Sequence, residues 1–382
     1  MKNSTKGLLG LTIGICVLSE TAGAEGFDRA LPNTEFLFQP GGYAEIGAGY
    51  LMPEITGVFP APGGDVATGN IGRDFFTPQF AIKYDVNEKL SFGLQFSQPY
   101  GLLAQYPLGT PPGAPVPAQG TGGDFGADEV GISARYKFTR NHSAFGSVRV
   151  QRYSGYLNRG GVRFDFGSST ELGYSLGYAF EIPERRLLFT AEYTSAVKHT
   201  HVTKPRHDGL VAIADVESPV GVSFVPAVTG TPLENDTIHR TPQSLTLNFR
   251  SQLPIGDGKN LIFGRYRWAD WSEADISFNG LNPTQFTDSQ HFALGLGRVV
   301  TENLALTGMV EYRTGGASPK PGLTPFENSI GLVLGGRYIL NDNVVLQAAY
   351  TYVKFDDATT TSGGVFTDNS AEGIAFKIGY YF

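Results

Sequence analysis

The stretch of sequence that decides the fold is Leu90-Ser91-Phe92-Gly93-Leu94-Gln95-Phe96-Ser97. Every second residue in it is large and apolar, and the residues between them are small or polar. Because successive side chains of a β-strand point to opposite faces, such a strand has one apolar face and one polar face. The stretch therefore predicts a strand that separates an apolar environment from a wet one.

The same period of two recurs along the whole chain and marks fourteen segments. Their approximate bounds are residues 43–52, 75–85, 89–98, 127–139, 143–157, 168–181, 186–198, 241–253, 260–272, 287–299, 303–314, 328–340, 343–355 and 371–382. Most of them exceed the usual ~5–6 residues of a strand in a soluble protein. They match instead the ~9–11 residues with which a tilted strand crosses a bilayer.

The connections between these segments alternate between short turns and long loops. The long ones are residues 53–74, 99–126, 199–240, 273–286, 315–327 and 356–370. Short turns at one end and long loops at the other are typical of an outer-membrane β-barrel, with its turns in the periplasm and its loops outside the cell. An even number of strands then leaves both termini in the periplasm. The competing interpretation, a soluble β-sandwich or propeller, would turn the apolar face inward and would not alternate its loops.

Composition narrows the class of protein further. Glycine makes up 50 of the 382 residues, 17% of the residues are charged, 12% are aromatic, and the formal net charge is −7. So many aromatic residues with so few charges argue against intrinsic disorder, and one cysteine cannot build a disulfide scaffold. An acidic chain lacks the excess of basic residues that is typical of a nucleic-acid-binding protein. Beyond the N-terminus, no apolar run reaches the ~18 residues of a transmembrane helix.

The first 24 residues have the pattern of a cleaved secretory signal peptide, here of a Gram-negative bacterium. Lys2 and Lys6 precede the apolar run 7–18, and Ala22-Gly23-Ala24 forms a small-residue cleavage site. Cys16 lies in this leader, so the mature chain offers no thiolate for a metal, and we expect neither metal nor cofactor. Residues 25–42 form a short N-terminal segment, and residues 43–382 form the barrel.

The barrel interpretation predicts the face on which each charged side chain of a strand lies. A cation facing lipid at mid-depth costs about 2–4 kcal/mol, so strand charges should point into the lumen. The residues that fall opposite the apolar stripe are Lys83, Arg135, Lys137, Arg149, Glu171, Glu192, Arg250, Arg265, Arg267, Glu311, Arg313, Arg337 and Lys377. Arg152 breaks this parity, which places it near the lipid headgroups or marks a bulge in its strand.

Four of these cations fall near the middle of their strands: Arg149, Arg265, Arg267 and Lys377. Each has two interpretations. It would bind the carboxylate of a ligand, for which a guanidinium fork is well shaped, or it would pair with Glu171, Glu192 or Glu311 and stiffen the wall. Since about eight strands are already filled by their own side chains, fourteen strands must enclose water, a plug or a ligand path.

Aromatic residues gather near the strand ends and predict two interfacial girdles. One comprises Tyr84, Tyr136, Phe138, Phe180 and Tyr338, and the other comprises Trp268, Trp271, Tyr312 and Tyr352. The last strand ends on Phe382. A terminal aromatic residue on an alternating strand resembles the signal that the outer-membrane barrel assembly machinery reads, so this machinery is an expected partner.

Two stretches resemble the FadL family, the outer-membrane transporters of long-chain fatty acids and other hydrophobic compounds. One is the run from Gln98 to Tyr106, which contains Pro99, Tyr100, Gly101, Leu102 and Leu103. The other combines Thr241 and Pro242 with Trp268, Asp270, Trp271 and Ser272. The resemblance covers the whole mature barrel, and the fourteen strands and the aromatic C-terminus agree with it.

The resemblance implies a kink in the third strand that opens the wall sideways, and an N-terminal hatch that plugs the barrel. Pro99 and Gly101 sit where that strand would bend, since proline removes a ladder donor and glycine permits unusual dihedrals. Alternatively, Pro99 simply ends the strand. Residues 25–42 are shorter than the family's hatch and lack its Asn-Pro-Ala motif. They form either a reduced plug or a partly ordered tail.

The function that the resemblance implies is uptake of hydrophobic molecules, with long-chain fatty acids as the first cargo. Lipid and lipopolysaccharide of the outer membrane are the expected surroundings. The first rival is a general diffusion porin. The second is an outer-membrane enzyme, which would need a coherent Ser/His/Asp set, whereas His291 stands nearly alone in the strands. A cluster of three histidines falls in a long loop: His199, His201 and His207. Such histidines are either metal ligands or, more commonly, solvated loop residues.

Overall fold

The computed structural model describes the chain in eleven stretches. They are residues 28–30, 33–107, 120–159, 162–206, 210–214, 222–226, 235–254, 258–274, 276–277, 286–317 and 322–382. The proposed leader, residues 1–24, lies outside the described residues and stays a prediction, as does the placement of His207.

Strands make up nearly all the regular structure of the described residues. In chain order they are β1 (Tyr43–Glu54), β2 (Gly57–Phe59), β3 (Val66–Ala67), β4 (Phe75–Asp85), β5 (Leu90–Gln105), β6 (Gly122–Lys137), β7 (His142–Arg159), β8 (Val162–Ile182), β9 (Leu187–Thr194), β10 (Val197–Arg206), β11 (Leu210–Ala214), β12 (Val222–Pro226), β13 (Asn235–Thr241), β14 (Ser244–Gln252), β15 (Asn260–Ala269), β16 (Ile276–Ser277), β17 (Phe286–Val299), β18 (Leu304–Ala317), β19 (Ser329–Ile339), β20 (Val344–Phe355), β21 (Ala358–Thr359), β22 (Val365–Phe366) and β23 (Ser370–Tyr381).

The long strands form a closed antiparallel barrel with fourteen positions around its wall. We call each position a stave, since some of them consist of two consecutive strand segments. Closure depends on β1, which pairs with β4 on one side and with the last strand, β23, on the other, from Tyr43↔Tyr381 to Glu54↔Ser370. Because no edge is left open, the wall can stand in lipid with its backbone paired. The predicted fold, a fourteen-stranded transmembrane barrel, is confirmed.

Three of the fourteen staves are split, whereas the sequence pattern made each of them continuous. Stave seven consists of β9 and β10 with a break at 195–196, and stave eight consists of β13 and β14 with a break at 242–243. Stave nine leaves the sheet after Ala269 and resumes briefly in β16. One cause is local, since Pro242 has no N–H to give to the ladder.

The two faces of the wall follow the predicted parity. Leu172, Tyr174, Leu176 and Tyr178 of β8 are exposed on the outer face, and Ser175 between them is buried. The inward cations Lys83, Arg135, Arg149, Arg267, Arg313 and Arg337 are all buried. An apolar outer surface around a polar interior is the arrangement that a lipid surround requires.

The apolar band ends in a polar rim toward the long loops. Asp128 lies opposite Arg152 on the β6–β7 ladder, and Lys198 lies opposite Arg240 on the β10–β13 ladder. Their chain neighbours point inward and are buried, so these four side chains face outward. Arg152 therefore sits at the rim, and a bulge follows it between Tyr153 and Gly155.

The aromatic girdles are present with one correction. Tyr84, Tyr136, Phe138 and Tyr338 are exposed at the short-turn end, and Tyr312 and Tyr352 are exposed at the other end. Trp271 was expected beside them, but its side chain is only 3% exposed and packs inside the barrel. Its parity is that of the inward residues Arg267 and Ala269, so the girdle prediction, which rested on its place near the strand end, was wrong.

The first and last long loops pair with each other over the closing strands. β2 pairs with β3 and with β22, and β22 pairs with β21, which gives a small four-stranded sheet. Phe59 and Phe366 from this sheet pack with Ile71, Tyr106 and Phe355 in one apolar cluster. This cluster holds the loops in place over the barrel end.

Helical structure among the described residues is limited to two 3₁₀ turns, Thr34–Phe38 and Pro183–Arg185. None of the described helices is long and apolar enough to cross a membrane.

The N-terminal segment lies inside the barrel wherever it is described. Phe36 and Leu37 of the first turn are fully buried and pack with Phe145 and Leu188 at the short-turn end. The segment is also held by polar contacts: Lys83 Nζ donates to the carbonyls of Gln39 and Gly41 at 2.7 and 2.9 Å, and Arg250 pairs with Glu35 at 2.5 Å. The lumen is therefore filled at this end.

Gly93 of β5 leaves the space that this segment occupies. A Cβ at residue 93 would lie 2.5 Å from Cε2 of Phe36 and 2.9 Å from Cδ2 of Leu37. We expect Gly93→Ala to loosen the turn Thr34–Phe38, because overpacking costs about 1–3 kcal/mol, and to raise ion conductance in planar bilayers. Gly331→Ala is the control, since its Cβ would meet its nearest atoms at 3.6 Å. Equal conductance of both variants and the parent would contradict this packing.

Candidate functional site

The barrel ladder is interrupted between the second and third staves. From Asp85↔Ser91 to Phe80↔Phe96 the strands β4 and β5 are paired, and the next contact between these segments is the isolated bridge Gly72↔Ala104. We call residues 75–79 of β4 and 97–103 of β5 the β4–β5 seam. Pro78 and Pro99 lie in it, and neither has an N–H for a ladder bond. Local sequence thus opens the hydrogen-bonded wall at this point.

The other side of β5 is bulged at the same level. Ser97 pairs with Glu129 and Tyr100 pairs with Ala127, so that Gln98 and Pro99 oppose the single residue Asp128. A bulge of this kind bends the strand that contains it. The strand continues beyond Pro99 to Gln105, so Pro99 bends it rather than ending it.

The N-terminal segment covers the seam from the lumen. The amide of Arg29 donates to the carbonyl of Pro99 at 2.8 Å, and the amide of Ala30 donates to the carbonyl of Gln98 at 3.1 Å. Asp28 forms a bridge with Tyr100. Carbonyls that the ladder leaves unpaired therefore find partners in residues 28–30.

The six residues that the sequence assigned to the ligand path divide into two groups. Tyr100 points into the lumen, and a Cβ on Gly101 would lie 2.7 Å from the guanidinium carbon of Arg29, so both belong to the covered seam with Pro99. Leu102 packs on the aromatic side of the lumen and Leu103 packs on the loop cluster. Tyr106 is farther away, with its hydroxyl donating to the carbonyl of Gly322 at 2.7 Å.

A polar layer crosses the middle of the lumen. It includes Asp28, Glu129, Arg149, Glu192, Arg265 and Arg267. A cavity of about 40 Å³, room for about three water molecules, is lined by the last four of these residues. Arg149 donates to both oxygens of Glu129 at 2.7 and 3.0 Å, and Arg267 pairs with Asp28 at 2.6 Å. The layer is thus a network of ion pairs closed to a large solute.

Each of the four predicted lumen cations has an acceptor within the chain. Lys377 pairs with Glu45 at 3.1 Å, and Arg265 donates to Asn248 at 2.9 Å. The partners of the four cations are thus Glu129, Asp28, Glu45 and Asn248 in these contacts, whereas the sequence pointed to Glu171, Glu192 and Glu311. The arrangement corresponds to the stiffening role in this state of the barrel.

Aromatic side chains fill the lumen on the long-loop side of the polar layer. We call Tyr100, Phe125, Tyr153, Phe166, Trp271 and Phe286 the aromatic compartment, since they form one buried cluster. Along β7 the inward side chains run from Phe145 at the short-turn end through Arg149 to Tyr153, so the two layers lie in this order. The lumen is therefore apolar, then polar, then apolar along its length.

The residues of the second sequence signature meet where staves eight and nine are split. Gln243 donates to Asp270 at 2.7 Å, and the hydroxyl of Ser272 donates to the same carboxyl at 3.2 Å. Trp268 faces the rim and donates to Asp288 at 3.1 Å. Thr241 lies directly before Pro242 and is buried next to Gln151. These contacts form the turn that carries Trp271 into the aromatic compartment.

Three histidines at this level were not expected inside. His199 and His201 of β10 and His239 of β13 are 0%, 1% and 2% exposed, so the expectation that His199 and His201 are solvated is wrong. Their stave continues to Arg206, and its inward positions 197, 199, 201 and 203 could have been found by extending the period of two. No cluster of His, Cys, Asp or Glu suited to a metal occurs in the described part of the chain.

The histidines lie beyond the apolar band, because their neighbours Lys198 and Arg240 form the polar rim. Burial lowers the pKa of His199 to about 4. It also lowers the pKa of His201, and it holds the pKa of His239 well below its ordinary value. Neutral imidazoles are therefore the state that this environment favours.

The fold and this lumen together define a fourteen-stranded transmembrane barrel whose interior is occluded and whose wall is interrupted at one covered seam. The sequence matches no protein-family model. It also matches no curated protein.

Solved structures share this fold over nearly their whole length. A FadL homologue of Pseudomonas aeruginosa aligns with a TM-score of 0.68 at 14% identity, over 91% of this chain and 92% of that one. The toluene transporter TbuX of Ralstonia pickettii aligns with a TM-score of 0.61 at 17% identity, over 90% of each chain. The toluene transporter TodX of Pseudomonas putida gives 0.64 at 13% identity, over 91% and 92%. The resemblance to the FadL type is thus confirmed at the level of the fold.

The Glu129–Arg149 pair provides a test of the polar layer. Its side chains are 1% and 2% exposed, and removing one partner of such a pair typically costs about 3–5 kcal/mol. We expect Glu129→Gln to lower the free energy of unfolding by this amount in urea titrations of the barrel in lipid vesicles. Glu184→Gln is the matched control, because the Arg140–Glu184 pair is 73% and 57% exposed and is worth less than about 1 kcal/mol. If Glu129→Gln lowers the free energy of unfolding no more than Glu184→Gln does, the assignment of Glu129–Arg149 as a buried ion pair is contradicted.

Proposed function

We propose that this chain is an outer-membrane channel that takes up hydrophobic molecules and releases them sideways through the barrel wall. The observation that carries the proposal is the β4–β5 seam at Pro99, covered from the lumen by residues 28–30. Both termini then lie in the periplasm, and the surroundings are outer-membrane lipid and lipopolysaccharide. Phe382, exposed on the outer face of the last stave, is the residue offered to the barrel assembly machinery.

The layering of the lumen favours a sideways exit. An apolar molecule that enters from the long loops meets the aromatic compartment first. The way down is blocked by the polar layer, where buried ion pairs would have to lose their partners to let it pass. Tyr100 belongs to both the compartment and the seam, and Phe76 and Phe80 flank the seam on the lipid side. Moving sideways keeps each CH₂ out of water, which is worth about 0.8 kcal/mol per CH₂.

Long-chain fatty acids are the first cargo, in line with the FadL-type signatures. Single-ring aromatic molecules are a second candidate, favoured by the aromatic compartment and by the likeness to TbuX and TodX, which are toluene transporters. The alternative of a general diffusion porin requires a water-filled pore. The N-terminal turn and the polar layer, both within the described residues, leave little room for one.

A reversible disulfide across the seam tests lateral release. Gln79 and Ser97 are the next residues beyond the last ladder pair, Phe80↔Phe96, and the one native cysteine, Cys16, lies in the predicted leader. We expect oxidised Gln79→Cys/Ser97→Cys to take up radiolabelled oleate and toluene at least about tenfold more slowly than the parent, since the staves cannot separate, and a reductant to restore uptake.

The control for this test is Met309→Cys/Val333→Cys, a register pair on the uninterrupted β18–β19 ladder. Its oxidation should leave uptake unchanged. Unchanged uptake by the oxidised seam variant would contradict lateral release. Failure of the parent to take up either probe, together with free passage of small sugars into liposomes, would establish the porin alternative instead.

A further inference from the structure

The three buried histidines converge on the aromatic compartment. His199 and His239 are direct partners on the β10–β13 ladder, and His201 follows two residues on. The His239 ring stacks on Tyr153 at 4.7 Å and lies 5.0 Å from Phe166 and 4.8 Å from His201 between ring centroids. Imidazoles thus form one side of a compartment whose other sides are apolar.

Each of these three rings has a nitrogen without a hydrogen-bond partner among the described residues, and for His199 it is Nδ1. His199 Nε2 bonds to Gln151 Oε1 at 2.9 Å, and His201 Nδ1 bonds to the carbonyl of Gly167. Neither nitrogen of His239, nor Nε2 of His201, has a hydrogen-bond partner among the described residues. Buried polar groups are nearly always paired in folded proteins, and an unpaired one costs about 1–3 kcal/mol.

The unpaired ring lies where a cargo molecule would pass. His239 lines a small cavity together with Tyr100, Trp271 and Phe286. Its volume is about 10 Å³, so a ligand must displace at least one ring on entering. Arg29, also buried, lies at the seam with its guanidinium carbon 4.8 Å from the centroid of the Phe75 ring, and its Nε and Nη2 have no hydrogen-bond partner among the described residues.

We propose that the aromatic compartment selects single-ring aromatic molecules that carry an oxygen substituent over plain hydrocarbons, with His239 as the residue that hydrogen-bonds the oxygen. This inference rests on the proposed function and names its cargo class. A neutral imidazole offers one donor and one acceptor, which together match a hydroxyl. A site with an unpaired polar group rejects the analogue that cannot bond to it, and the stacked rings accept the aromatic part of the molecule.

Phenol and toluene are the probes, because they have nearly the same shape and differ in OH against CH₃. We expect the purified barrel to bind phenol about tenfold more tightly than toluene in equilibrium dialysis, with empty micelles as the blank. His239→Phe keeps a ring and removes both nitrogens. In this variant the affinity for phenol should fall about tenfold, and the affinity for toluene should change less than twofold. His142→Phe is the control, since His142 lies at the short-turn end and bonds to Tyr178.

Two further arms locate the ligand and define its oxygen. The chain has two tryptophans, so Trp268→Phe leaves Trp271 of the compartment as the only indole, and phenol should change its emission. Benzoate tests whether the preferred oxygen is charged. If benzoate binds more tightly than phenol and this binding is lost in Arg29→Gln, the preferred substituent is a carboxylate.

The outcomes separate this inference from the proposed function. Tighter binding of either oxygen-bearing ring than of toluene, lost in His239→Phe, supports it. Equal binding of phenol, benzoate and toluene to the parent overturns it and leaves the uptake channel standing. Binding of none of the three also overturns it, and the oleate uptake assay then decides the proposed function separately. The affinities of the parent protein for phenol, benzoate and toluene are compared without any variant. The inference therefore stays testable even if His239→Phe misfolds.

Discussion

The constraint on which the rest of the structure depends is that a wall in lipid must pair its own backbone. Water is absent from the hydrocarbon, so each free N–H or C=O there costs several kcal/mol. The chain meets this demand by closing β1 onto β23 and running the ladder around fourteen staves. Every departure from the ladder then needs a local substitute. At the β4–β5 seam the substitute is the backbone of residues 28–30, which pairs with the carbonyls of Gln98 and Pro99.

A second departure shows the same principle with side chains. Between Ser175↔Thr194 and Phe166↔Thr203, β8 has no register partner on β10. There the Ser195 amide still donates to the Tyr174 carbonyl at 2.9 Å, and the His201 ring bonds to the Gly167 carbonyl. The interruption reaches the polar rim, where water can pair with free backbone groups. Both interruptions border the aromatic compartment, so the wall is weakest beside the part of the lumen that is most apolar.

Parity along a strand is a local property, and for this reason the sequence predicts most of the wall. It gave the inward position of Arg149 and Arg267 and the outward position of Leu172. It could not give their partners, because Arg149 meets Glu129 only through the register between β6 and β7. Trp271 was misplaced because its position near a strand end was given more weight than its parity, which is that of the inward Arg267 and Ala269. The histidines were missed because the period of two continues past residue 198 into a stretch taken for a loop.

The closure of the barrel has a consequence for the order of its assembly. Tyr381 donates to Gln39 across 342 residues of sequence, and the amide of Phe382 donates to the carbonyl of Gly42 at 3.0 Å. The last stave of the barrel thus seals the wall beside the N-terminal segment. Contacts so distant in sequence form late. Closure of the barrel and docking of the N-terminal segment therefore depend on the same contacts, so a chain that fails to seat this segment also weakens the junction of its first and last staves.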